Sequence, residues 1–241
     1  MTANPQHDLG LVRQSAGQLV HDVGLLSDDA LAEPSLLPGW TRAHVVGHLI
    51  GNAEGLTRLL IWALTAEPTP QYPDARSRNA GIEAAVGQPA DLLAARLREV
   101  TDALLQTARD LDDVAWSATV ALGPAAAGRE MPAAELPWRR LVEQEVHNVD
   151  LDGAYTPAHW APEFVHRLLD ETTERFLDRP DVPALDLDAI DGDWSASCGE
   201  PAARTRVEGP SPALLAWLTG RSAGQGLHVS GPGLPSLPAW F

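Results

Sequence analysis

The residues with the clearest chemical potential lie in the stretch Arg139–Leu151, RRLVEQEVHNVDL. An α-helix turns once per ~3.6 residues, so side chains four apart stand on one face. Glu143 and His147 therefore stand side by side if the stretch is helical, and both are metal-ligand types. Glu145 points roughly the opposite way and cannot share an ion with His147. The apolar arc is Trp138, Leu141, Val142, Val146 and Val149. Glu143 lies off one edge of that arc and His147 somewhat further round. Asp150, three residues after His147, falls near the same edge and could orient its ring. Glu145 falls inside the arc, at odds with its charge.

A metal needs a further leg. The stretch TRAHVVGHLIGNAEGLTRLLIWAL offers His44 and His48. Its apolar arc is Val45, Leu49, Ala53, Leu56, Leu60 and Ala63. His48 flanks the arc, whereas His44 lies nearer the helix start and solvent. His48, Glu143 and His147 would make a two-histidine, one-carboxylate set. Three protein ligands leave a position open, as in catalytic zinc sites. Iron or nickel would fit the same donors, and a solvated polar stripe would carry the same spacing.

These stretches belong to helices that the apolar periodicity predicts. Helices are expected from about His7 to Ser27, from after Thr41 to about Thr65, from Asp91 to about Leu111, and roughly from Trp138 to Asp152. Thr41 is a suitable N-cap. The proline-punctuated stretch Thr65–Gly81 and the stretch LGPAAAGREMPAAELP read as loops. Four helices with long connections suggest a bundle. After Tyr155 the character changes. A helix over Glu163–Leu177 precedes short alternating segments at Leu185–Ala189, Trp194–Cys198 and Thr205–Glu208, then a helix at Ser211–Leu218 and a strand at Leu227–Val229. The expected architecture is an all-α domain, residues 1–154, followed by a small α+β domain, residues 155–241.

Composition narrows the chemistry. The formal net charge is -16, and all 17 basic residues are arginine. The absence of lysine removes Schiff-base catalysis and the phosphate-loop lysine. An acidic chain repels phosphate backbones, so nucleic acid is not an expected partner. One cysteine, Cys198, permits no intrachain disulfide and no thiolate-rich zinc site. No secretory signal or membrane-spanning run is visible, which makes a cytoplasmic protein without membrane attachment the expectation, as a monomer or weak oligomer. Gly220-Arg-Ser222-Ala-Gly224 matches the G-x-S-x-G pattern of hydrolases. That motif needs a strand before the serine and a helix after it. Here a helix precedes and glycines follow, so the run reads as a helix end that positions Arg221.

The stretches SLLPGWTRAHVVGHLIGNAEGL, PAAELPWRRLVEQEVHNVDL and LLAWLTGR resemble the mycothiol-dependent maleylpyruvate isomerases, within the wider DinB-like group of metal-binding helical bundles. The resemblance covers nearly the whole chain in matching order. It implies a DinB-like four-helix bundle joined to a small C-terminal α+β domain of sterol-carrier-like type. It implies zinc on His48, Glu143 and His147, the three residues that helical geometry selects. The family's L-x-G-R arginine matches Arg221, implying a role in catalysis and in binding the thiol cosubstrate. Arg78, in ARSRNAGI, resembles a recurrent Arg-Asn pair of the family and is a second catalytic candidate. The implied reaction uses mycothiol and a small anionic substrate. A zinc-bound thiolate adds to the cis double bond of maleylpyruvate, the resulting single bond rotates, and elimination gives fumarylpyruvate. Transfer of mycothiol to another electrophile would use the same site without the elimination. A non-catalytic ligand-binding member is a third reading, against which the intact His48, Glu143, His147 and Arg221 argue.

Overall fold

The computed structural model describes residues 3–123, 129–177, 179–199, 204–231 and 233–240. The chain divides into two compact units, Met1–Ala154 and Tyr155–Phe241.

In the first unit the long helices are α1 (Pro5–Gly24), α3 (Arg42–Thr65), α5 (Ala90–Ala108) and α7 (Leu136–Asp150), with shorter helices α2 (Asp28–Ala32), α4 (Ala75–Glu83) and α6 (Asp113–Ser117) between them. The four long helices pack in a closed ring: α1 touches α5 and α7, and α3 touches the same two. Their apolar arcs meet inside. Val12, Leu19 and Val23 of α1, Val45, Leu49 and Leu56 of α3, Leu97 and Leu104 of α5, and Leu141, Val146 and Val149 of α7 are all buried. Burial of such side chains, worth about 1.5–3 kcal/mol each, is what holds a bundle of this kind together.

Two stretches read as loops contain regular structure. Helix α4 follows the last proline of the 65–81 stretch, where the Asp74 side chain accepts a hydrogen bond from the Ser77 amide at 2.6 Å and so caps the helix. Strands β1 (Thr119–Leu122) and β2 (Arg129–Pro132) pair antiparallel across the 122–137 stretch, of which residues 124–128 lie outside the described residues.

Helix α4 lies close against α3 because Gly47 has no side chain. A Cβ there would sit 2.7 Å from Ala85 Cβ and 2.8 Å from the Ile82 carbonyl oxygen. Arg42, at the start of α3, bonds the end of α7. Its Nε donates to the Leu151 carbonyl at 2.6 Å and its Nη2 to the Asp152 carbonyl at 3.3 Å. Leu36 N–H donates to the Asp150 carbonyl at 3.0 Å. These bonds fix the register of the two helices that carry the candidate ligands.

The second unit places α8 (Pro162–Leu177) and α9 (Ser211–Leu218) against a sheet of order β4–β3–β5–β6, with β3 at Leu185–Ala189, β4 at Ser195–Cys198, β5 at Thr205–Gly209 and β6 at His228–Ser230. The β3–β5 pair is parallel and the others antiparallel. Leu185, Leu187, Cys198 and Val207 are buried, as the alternating pattern predicts. Among the described residues no helix is long and apolar enough to cross a membrane.

Candidate metal centre and active site

His48 stands in the middle of α3 and Glu143 and His147 one turn apart on α7. Their ring and carboxylate atoms converge. His48 Nε2 lies 2.8 Å from Glu143 Oε2, and His147 Nε2 lies 3.2 Å from the same oxygen. One ligand atom from each residue falls within 4.8 Å of the other two. The imidazole planes meet at 85° with centroids 4.7 Å apart. Both histidines are buried, while the Glu143 side chain keeps 28% of its exposure, so the set opens on one side.

The free nitrogen of each ring has a partner. His147 Nδ1 lies 2.7 Å from Asp150 Oδ2, and Asp150 is only 1% exposed. This is the carboxylate–histidine arrangement that fixes a ligating ring. On His48, Arg78 Nη2 donates to Nδ1 at 3.2 Å. Guanidinium can only donate, so Nδ1 carries a lone pair and the proton sits on Nε2, from which it is donated to Glu143. Trp40, just before α3, tilts against the His48 ring at 5.7 Å. His44 is turned away. Its Nδ1 accepts from the Thr41 amide at 3.1 Å and lies 2.7 Å from the Thr41 hydroxyl, closing the helix cap.

Electrostatics separate the groups. Burial holds His48 below its ordinary range, against the pull of Glu143. Burial also acts to lower His147, but its hydrogen bonds to Asp150 and Glu143 outweigh it and leave the ring above its ordinary value. For Glu143, burial would favour the neutral acid; the charge and hydrogen bonds of the two histidines win and hold the carboxyl well below its usual range. The set thus has one ionised oxygen between two imidazoles. Such a donor set of two nitrogens and one carboxylate suits a divalent transition-metal cation.

Three further residues bear on the site. Arg140, one turn before Glu143, is fully buried. Its Nη1 donates to the Leu49 carbonyl at 2.8 Å and to Asn52 Oδ1 at 2.9 Å, while its Nε and Nη2 meet no acceptor. Burial pushes its guanidinium down to about 10, still protonated at neutral pH. Tyr72 is buried with Arg78 Cζ 5.9 Å from its ring centroid. Burial and then Glu143 raise its phenol above the ordinary value, while Arg78 and Arg58 pull the other way. Neither Arg140 nor Tyr72 stands out in the sequence: each takes its meaning from residues far away in the chain. Glu145 is buried, so the apolar arc of α7 is covered at its position.

Arg221 belongs to the second unit. Helix α9 ends in a Schellman motif. Gly220 has φ +76°, its N–H donates to the Trp217 carbonyl at 3.0 Å, and Arg221 N–H reaches the Ala216 carbonyl at 2.7 Å. Arg221 Nη1 donates to the Thr219 carbonyl at 2.7 Å, and its Cζ lies 5.7 Å from the Trp240 ring centroid. The Ser222 hydroxyl donates to Gln225 Oε1 at 2.7 Å and accepts from the Gly224 amide at 2.9 Å, in a helix end and not a nucleophile elbow. Cys198 is buried, and burial pushes its thiol up to about 11.

Comparison with known proteins agrees with this architecture. The family model described as mycothiol maleylpyruvate isomerase N-terminal domain matches residues 12–152, and that of the corresponding C-terminal domain matches residues 159–238. A crystal structure of a mycothiol-dependent maleylpyruvate isomerase superposes with a TM-score of 0.91 at 27% identity, covering 100% of both chains. A histidine-to-alanine variant of such an enzyme superposes with a TM-score of 0.90, also at 27% identity and 100% of both chains. No curated protein sequence matches the chain. The chain belongs to the mycothiol maleylpyruvate isomerase family.

Proposed function

We propose that the protein is a zinc-dependent isomerase that uses mycothiol to convert maleylpyruvate into fumarylpyruvate. The observation that carries this reading is the convergence of His48, Glu143 and His147, from two helices far apart in sequence, in a chain of this family. The isomerase name of the family and of both structural neighbours favours isomerisation over mycothiol transfer.

His48 Nε2, Glu143 and His147 Nε2 would hold the ion, with Asp150 steadying the His147 ring; His48 would give up its Nε2 proton and carry one on Nδ1 instead, which frees Arg78 from that ring. A divalent cation there stabilises thiolate over thiol and so supplies a nucleophile at neutral pH. The thiol comes from mycothiol, since the buried, high-pKa Cys198 is a poor nucleophile. In the reaction the sulfur bonds to one carbon of the cis double bond and the π pair moves onto the conjugated carbonyl oxygen. The former double bond rotates. The pair then returns, the C–S bond breaks, and the trans isomer leaves with the thiolate regenerated.

The chain's own part is electrostatic. Arg78 stands beside His48 with a guanidinium that can pair with a substrate carboxylate or with the developing enolate oxygen. The resemblance of LLAWLTGR to the family's L-x-G-R element supports a like role for Arg221. A chain of net charge -16 needs local arginine to admit a dianion.

The test is metal content together with turnover. Wild type should carry one zinc per chain and isomerise maleylpyruvate only with mycothiol. His147→Ala should lose both. Zinc binding with thiol conjugation but no isomerisation would move the assignment to a transferase. A metal-free, inactive wild type would overturn it.

A further inference from the structure

A cavity of about 350 Å³ opens along α3 on its α4 side, lined by Gly51, Glu54, Arg58, Tyr72, Ser77 and Arg78 among others. It begins beside the candidate metal centre, because Arg78 both lines it and touches His48. It runs along the helix away from that centre. Gly51 is about one turn beyond His48, and Arg58 is ten residues on, a rise of about 15 Å.

The charges in this cavity are arranged unusually for so acidic a chain. Acidic residues number 33 against 17 arginines, yet among the described residues neither Arg58 nor Arg78 forms a salt bridge with a carboxylate. Arg78 bonds His48 Nδ1 and, at 3.4 Å, Asn79 Oδ1. Arg58 donates from Nε at 3.1 Å and from Nη2 at 2.6 Å to a single acceptor, the Gln71 carbonyl. That fork fixes the guanidinium and leaves its Nη1 edge without a hydrogen bond. Glu54, the acid on the wall, is engaged with Arg96 at 2.5 Å. The cavity therefore offers two positive groups, one of them held rigidly, with the nearby negative charge already matched. A pre-positioned guanidinium loses little freedom when a carboxylate docks.

We infer that this cavity is a carboxylate subsite, and that Arg58 is a specificity-determining residue that binds one acid group of the substrate while Arg78 stands between it and the metal centre. This rests on the proposed function for the identity of the substrate, but not for the chemistry of the subsite. An organic acid gains more from this pair of cations than an uncharged ligand does.

The experiment is calorimetric titration of the zinc-loaded protein with maleate, a small cis-dicarboxylate, which needs no turnover. Arg58→Gln should weaken maleate binding about tenfold or more. Because Arg58 also holds the Gln71 carbonyl, a second pair of variants avoids that contact. A Cβ at Gly51 meets nothing within 4 Å. Gly51→Asp should bind maleate about tenfold more weakly than the isosteric Gly51→Asn, since the two differ in charge alone. In turnover, Arg58→Gln should raise KM for maleylpyruvate more than it lowers kcat. Equal maleate affinity for Gly51→Asp and Gly51→Asn, with Arg58→Gln like wild type, overturns the subsite even if the enzyme isomerises maleylpyruvate. Charge-dependent maleate binding in a protein that does not isomerise maleylpyruvate supports the subsite and removes the substrate assignment instead.

Discussion

Replacing Asp150 by alanine isolates the part of the candidate metal centre that supplies no ligand atom. The Asp150 carboxylate lies 2.7 Å from His147 Nδ1 and is nearly sealed from solvent. When His147 Nε2 is a ligand, Nδ1 must carry the proton and donate it. Asp150 then fixes the tautomer, aims the ring and makes it a better donor. Loss of such a partner typically costs about 10–100-fold in metal affinity, or about 1.4–2.8 kcal/mol at 1.4 kcal/mol per decade. In the zinc-free protein the same change removes a charge-assisted hydrogen bond in a buried place, worth about 1.5–3 kcal/mol of stability. The Leu36–Asp150 backbone bond survives the substitution, so the α3–α7 register should hold. Asp150→Asn keeps an acceptor oxygen and loses the charge, so its affinity should fall between wild type and alanine. Zinc affinity is read by competition with a chromophoric chelator, and stability by denaturant titration of the zinc-free form. A folded Asp150→Ala that binds zinc within about twofold of wild type refutes this reasoning, because it would mean that His147 Nδ1 needs no oriented carboxylate.

Three other outcomes follow from the same geometry. Gly47→Ala forces a Cβ to within 2.8 Å of the Ile82 carbonyl. Overpacking of about 1–3 kcal/mol should exceed the ~1 kcal/mol that alanine gains in helix propensity. The variant should keep zinc but lose turnover as α4 and Arg78 shift, with denaturant titration and steady-state kinetics as the check. Zinc affinity should rise with pH. His147, held above its ordinary 6.5, keeps below its pKa the proton that the metal must displace. The slope should approach about tenfold per pH unit for that one proton and persist above 6.5; chelator competition at about pH 6, 7 and 8 reads it, and a flat profile contradicts it. Cys198→Ala should retain mycothiol-dependent turnover, and a maleimide should leave Cys198 unlabelled in the native protein at neutral pH. A thiol pushed to about 11 is thiolate to only about one part in ten thousand at pH 7.

Much of the scaffold was legible because its signals are local. Thr41 and the apolar arc after it give α3 almost to the residue, and the strand alternation at Leu185–Ala189 matches β3. The facing of His48, Glu143 and His147 was also legible, since i,i+4 geometry and arc edges leave few alternatives. Helix α4 was hidden by the prolines around it, although Asp74 three residues before Ser77 is a capping signal that the last proline leaves intact. The β1–β2 pair was hidden by brevity: four residues a side carry too little alternation to outweigh flanking glycine and proline. Arg140 could not be read as buried. Its acceptors, the Leu49 carbonyl and Asn52, lie 91 and 88 residues away, and no helical pattern announces which group of a neighbouring helix a guanidinium will reach.

The buried cation and the acidic surface belong to one electrostatic argument. Arg140 sits inside the bundle one turn from Glu143 without a carboxylate in contact, an arrangement that costs desolvation and returns only two hydrogen bonds. Its charge acts on what stands nearby: it favours the ionised form of Glu143. Arg78 and Arg58 extend positive charge from there along α3. One buried guanidinium and two partly exposed ones thus lie along this side of the bundle in a molecule whose net charge is -16. On the proposed function, a dianion repelled by most of the surface would meet attraction along these groups. Lysine could supply the sign but not the fixed fork, and a buried ammonium would shed its proton more readily. That all the basic residues of this chain are arginine fits a site that depends on charges which do not titrate.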